Sequence, residues 1–153
     1  MKTGKIRNAL VIGGGSGMGA AVAEALCRLG IQVFVADLDE GAAQETARAA
    51  GEKGGRAEAF QVDVSRSDSV AALFEGLKKR LEGLDLMVQT AGLLGRTIFI
   101  EDMNDEEWRR MMAVNLDGVF YCCREAVRWM KVHQTGRIIL FSSVASLTPT
   151  PGS

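Results

Sequence analysis

Ile12-Gly13-Gly14-Gly15-Ser16-Gly17-Met18-Gly19 stands between a short apolar run, Ala9-Leu10-Val11-Ile12, and a helical one that begins Ala20-Ala21-Val22-Ala23. The apolar run has the length and composition of a buried strand. Glycines reach dihedrals that other residues avoid, and they leave room for a ligand against the main chain. Beyond them, the N–H groups of the helix's first turn lack intrahelical partners and carry a partial positive charge. Strand, glycine turn and helix in this order form a phosphate-binding turn. Two registers fit it. Gly15, Gly17 and Ala20 satisfy G-x-G-x-x-A, whereas Gly13, Gly17 and Gly19 satisfy G-x-x-x-G-x-G. The second is preferred, because the strand pattern stops at Ile12 and the turn must begin at once.

Outward from this turn the chain alternates strand and helix. The spacing predicts strands at 8–12, 32–36, 57–62, 84–88 and 137–141, with helices at 17–29, 39–50, 67–81 and 104–132. Asp39 and Asn104 are expected N-caps, and Ser65 or Ser67 a third. On the last helix, Trp108, Met111, Met112, Leu116, Val119, Phe120, Cys123, Val127 and Met130 recur at helical spacing and are expected to face the core. Strands this apolar imply one α/β domain over residues 1–153, a doubly wound parallel sheet between two helical layers.

Composition narrows the function classes. Eighteen Lys and Arg against nineteen Asp and Glu give a net charge of −1, with no electrostatic case for nucleic acid or a membrane surface. No apolar run reaches the length of a membrane span. The cysteines at 27, 122 and 123 are odd in number and lack metal-ligand spacing, as expected of reduced packing residues in a cytoplasmic protein. The single histidine, His133, falls at a helix C-terminus, where it complements the dipole, and no metal cluster is expected.

Polar residues recur at one edge of the expected sheet, the carboxyl ends of its strands, where ligands bind in such folds. Asp37 closes the second strand, twenty positions beyond Gly17. A carboxylate there can accept hydrogen bonds from both adenosine ribose hydroxyls and repels a 2′-phosphate. The glycine turn has Ser16 rather than a cation at its middle, which favours NAD over NADP. Asp63-Val64 after the third strand reads either as an adenine site or as an acidic helix entry. Gln89-Thr90-Ala91-Gly92 follows the fourth strand, and Ser142-Ser143 the fifth. Asn115 lies on the apolar stripe of the long helix, where its amide must find partners, as a structural anchor or in a site.

Ile12–Gly19, Asp37, Asp63-Val64, Gln89–Gly92, Asn115 and the segment 136–146 together resemble the classical short-chain dehydrogenases/reductases, across essentially the whole chain. The resemblance implies a Rossmann-type sheet of order 3-2-1-4-5 and hydride transfer between a nicotinamide cofactor and a carbonyl or secondary alcohol. It implies that Gly13, Ser16, Gly17 and Met18 line the pyrophosphate, with Gly19 beside them. Asp37 would hold the adenosine ribose, with Leu38 next to it, and Asp63 and Val64 the adenine. Ala91 and Gly92 would flank the nicotinamide. As catalytic residues it implies Ser143, bonding the substrate oxygen, and Asn115, positioning a proton-relay water. It also implies a homo-oligomer formed through the helix 104–132.

Two motifs depart from the family's pattern. Ile12 replaces the usual Thr before the first glycine, and Gln89-Thr90 replaces a pair of asparagines, altering the bonds that brace the fourth strand. The family's Tyr-x-x-x-Lys, its general acid and helper, has no counterpart here. The sole tyrosine, Tyr121, lies inside the long helix without a lysine four positions on and is read as packing. With strand five left as an apolar edge, the expectation is the amino-terminal part of a dehydrogenase of about 250 residues. The chain alone is then an inactive dinucleotide-binding module or a scaffold subunit.

Overall fold

The computed structural model describes residues 5–52, 54–144, 147 and 148. Strands β1 (Asn8–Ile12), β2 (Gln32–Asp37), β3 (Arg56–Gln61), β4 (Leu86–Gln89) and β5 (Arg137–Leu140) form one parallel sheet of order β3-β2-β1-β4-β5. This is the expected Rossmann-type order. The reversal lies at β1, which pairs with β2 on one side and β4 on the other, so Ile12 stands between Ala36 and Gln89. A crevice therefore opens above β1, where the glycine turn begins.

Period-two alternation divides the core. Ala9, Val11, Val33 and Val35 face helices α1 (Gly17–Arg28) and α2 (Glu40–Glu52), and meet Ala23, Cys27, Ala43 and Ala47. Leu10, Ile12, Phe34 and Met87 face the opposite layer of α3 (Ser67–Lys78) and α5 (Gly118–His133). Small residues on the first layer and large ones on the second explain why both faces of β1 and β2 are fully buried. β5 pairs with β4 alone among the described strands, and Ile139, Leu140 and Phe141 are each exposed by 41–49%.

Two expected caps form. The N–H of Ala42 donates to Asp39 Oδ1 at 3.1 Å, and that of Glu107 to Asn104 Oδ1 at 2.9 Å. The serine cap does not. Arg66 occupies the N-cap of α3 with no side-chain capping bond, and the Ser65 hydroxyl donates instead to Asp63 Oδ1 at 2.6 Å.

The long helix departs most from expectation. It runs as α4 (Asp105–Met112), a π-helical turn over Ala113–Asp117, and then α5. Below the turn, the face on the core is Gly118, Cys122, Glu125, Ala126, Trp129 and Met130. Trp108, Leu116, Phe120 and Val127, expected inside, are 50–56% exposed. Two physical reasons account for this. A wide turn adds a residue, so a stripe read at constant period loses its register there. Close packing also selects small side chains: a Cβ on Gly118 would press against Val64 at 3.0–3.1 Å.

Candidate functional site

A cleft of about 560 Å³ lies over the carboxyl ends of β1–β4. It is lined by every residue given a cofactor role above: Gly13, Ser16, Gly17, Met18 and Gly19; Asp37 and Leu38; Asp63 and Val64; Ala91 and Gly92. Its volume is that of an ordinary small-molecule site.

The glycine turn forms the floor. Gly13 adopts φ +78°, and its N–H donates to Ala36 O at 2.8 Å. A Cβ on Gly13 would overlap the Ala91 backbone, and one on Gly19 would overlap the Gly13 carbonyl. These contacts place the steric demand on the register that begins at Gly13. Ser16 occupies the N-cap of α1 without using its side chain as a cap, so the hydroxyl and the first-turn N–H groups of Gly17 and Met18 stand at the cleft. With Met18 61% exposed, nothing bulky covers this helix end. The arrangement suits an anion such as a pyrophosphate.

Asp37 is held in place by two backbone donors: Gly15 N–H to Oδ2 at 2.8 Å and Asp39 N–H to Oδ1 at 3.1 Å. A carboxylate has about four lone-pair sites, so acceptor capacity remains for a ligand. A Cβ on Gly15 would sit 2.9 Å from both this carboxylate and the Ala42 methyl, so the third glycine makes room for Asp37 and for α2. Across the cleft, Asp63 accepts the N–H and hydroxyl of Ser65 at Oδ1, which fixes its plane.

On the β4 side, Thr90 replaces the bracing that an asparagine would give. Its hydroxyl lies 2.8 Å from Ile12 O and 3.0 Å from Gly13 O, tying the strand end to the glycine turn. Gln89 does no such work. It is 2% exposed, and neither its amide nitrogen nor its oxygen has a hydrogen-bond partner among the described residues.

Asn115 sits in the π-helical turn. Its Oδ1 accepts the N–H of Leu93 at 2.7 Å, and its Nδ2 donates to the Leu93 carbonyl at 2.9 Å. The amide does find partners, yet the residue is exposed and not on the buried stripe. It pins the chain leaving β4 against the long helix. Arg96 reinforces this with a two-pronged bond to Glu107 at 2.7 and 2.8 Å, which holds the Glu107 carboxyl below its usual range. Ser143 follows β5 and is exposed, outside the residues lining the cleft. Tyr121 packs on Phe120, ring centroids 5.7 Å apart, under the Arg124 guanidinium. Among the described residues no cluster of His, Cys, Asp and Glu could hold a metal, and no helix is long and apolar enough to cross a membrane.

Five lining residues had no site role in the sequence: Val62, Leu93, Arg110, Ala113 and Val114. Arg110, on α4, faces the cleft beside Val114. Its only signal was its place four residues before Val114, on the same helical face.

Residues 7–153 match the family described as short chain dehydrogenase. A 3beta-hydroxysteroid dehydrogenase of Mediterraneibacter gnavus is 35% identical over 144 residues, 94% of this chain and 52% of its own length. A cis-4-hydroxycyclohexanecarboxylate dehydrogenase of Sinomonas cyclohexanicum is 36% identical over 138 residues, 90% of this chain and 55% of its own. Among solved structures, a metagenomic short-chain oxidoreductase in complex with NADP superposes with a TM-score of 0.91 at 31% identity, covering 96% of this chain and 66% of that one. The chain thus spans about half the length of the curated relatives it matches.

Proposed function

Since the chain belongs to the short-chain dehydrogenase family, we propose that it serves an oxidoreductase moving a hydride between NAD and the carbon of a secondary alcohol or ketone. The observation that carries this reading is the convergence of the glycine turn, Asp37, Asp63-Val64 and Ala91-Gly92 on one cleft. The residues fit a dinucleotide. A turn without side chains and an uncapped helix start suit two phosphates, and a braced carboxylate at the end of β2 suits a ribose diol. When bound, the nicotinamide ring supplies the hydride acceptor or donor.

The chain's own residues have separate tasks in this proposal. The main chain at Gly13, Gly17 and Met18, with the Ser16 hydroxyl, holds the pyrophosphate. Asp37 accepts from the ribose hydroxyls and disfavours a 2′-phosphate, which makes NAD the preferred partner. Leu38 and Val64 lie against the adenosine, and Asp63 accepts from the adenine amino group. Ala91 and Gly92 flank the nicotinamide. Ser143 donates to the substrate oxygen. Asn115, whose amide retains one lone pair and one N–H beyond its two bonds to Leu93, orients a water. The sole tyrosine is packed on α5, so the chain by itself is proposed to bind nucleotide without turnover. Leu116, Phe120 and Val127, exposed on the long helix, offer a face to a second copy. The three cysteines are free thiols, in keeping with a cytoplasmic site of action.

Calorimetric titration with NAD and NADP tests the cofactor reading. NAD should bind about tenfold more tightly, and Asp37→Ala should lose that margin. Tighter binding of NADP by the unsubstituted chain would refute the role given to Asp37.

A further inference from the structure

The cleft is almost without positive charge. Among the described residues lining it, Arg110 is the one Lys or Arg. Its neighbours are already committed: Arg96 to Glu107 through two bonds, and Arg109 to Asp105 at 2.7 Å. The Arg110 side chain has no hydrogen bond or ion pair among the described residues, although five acidic side chains stand at positions 101–107. An exposed arginine in so acidic a segment would ordinarily pair with one of them. Instead it lines the cleft one helical turn outward from Val114, which packs against the core cluster that includes Val64, and it also borders the loop residues Leu93–Arg96.

We propose that Arg110 is a further nucleotide-binding residue that covers the adenine ring. The inference rests on the dinucleotide reading given above. Val64 and Val114 supply an apolar wall on which a purine can lie, and Asp63 supplies an acceptor at its edge. A guanidinium at the rim can then stack on the exposed face, since it is planar, permanently charged and weakly hydrated. The role is distinct from that of Asp37. Asp37 stands at the end of β2 and discriminates at the ribose, whereas Arg110 approaches from α4 and acts on the base. It should therefore strengthen every adenine-bearing ligand alike, whatever its 2′ substituent.

The test is a set of calorimetric titrations of the purified chain and its Arg110→Met variant with NAD, NADP, ADP-ribose and nicotinamide mononucleotide. Met keeps the length of the side chain and its packing while removing charge and planarity. Because Arg110 is exposed and bonds to nothing described, the melting temperature should not move. NAD, NADP and ADP-ribose should each bind about fivefold more weakly to the variant, with binding of the mononucleotide unchanged. Loss confined to NADP would overturn the proposal in favour of a phosphate contact. Full retention of affinity by the variant would overturn it outright and leave the dinucleotide reading intact. Absence of binding by the unsubstituted chain would overturn both.

Discussion

Gln89 is the most expensive side chain in the core. Its backbone stands between Ile12 and Leu140 in register, and its carboxamide is buried with neither polar atom bonded among the described residues. A buried group without a partner costs about 1–3 kcal/mol, and an apolar residue of the same shape removes the cost. Gln89→Met should therefore raise stability by about 1 kcal/mol, read as a higher urea midpoint with an unchanged slope. At the same scale, the sequence made some residues legible and hid others. Gly13 and Gly19 could be picked from a run of glycines because the preceding strand fixed where the turn begins, and their close contacts with Ala91 and with each other follow from that start. Asp37 was legible by its distance from the turn. Arg110 was not, because an arginine among acidic residues on a helix carries the same signature whether it pairs with them or turns away.

At the scale of elements, the joint between β4 and the long helix is the informative one. Asn115 clasps both polar groups of the Leu93 backbone, and Arg96 clasps Glu107 across the same gap. Asn115→Ala removes both bonds to Leu93, and for partly exposed hydrogen bonds the loss should be about 1–2 kcal/mol. The sharper readout is local: amide exchange at Leu93 should accelerate more than exchange within β4. The strands and the first three helices were legible because apolar periodicity survives intact within each. The long helix was legible as an element but not in its orientation. Trp108, Leu116, Phe120 and Val127 mark the exposed side, while the face against the sheet starts from Gly118, Cys122 and Ala126, which a hydrophobic count undervalues, before Trp129 and Met130 complete it. The failed serine cap has a similar origin. Ser65 had two acceptable uses, and the nearby carboxylate of Asp63 took it.

Across the whole molecule, the thiols report how tightly the two layers close on the sheet. Burial pushes Cys122 up from its ordinary value of 9.0 to about 12, and raises Cys27 and Cys123 as well. Because the folded-state value is the higher one, the stability contributed by the protonated Cys122 thiol is whole below about pH 9. It is lost as pH climbs through 12. Denaturant titrations should accordingly show a decline above pH 9 that Cys122→Ala lessens. Iodoacetamide at pH 8 should label the buried Cys27 and Cys122 readily only after unfolding. The π-helical turn has a consequence at this scale too. It works as a phase shifter between two halves of one rod: α5 is indexed to the sheet by Gly118, and α4 is indexed to the cleft by Arg110. Wound as an unbroken α-helix, the same residues would turn one half against the other by about 100°. The hydrophobic core would keep its half in place. Arg110 would swing out of the cleft, so the wide turn is what lets one rod both pack on the sheet and line the cleft.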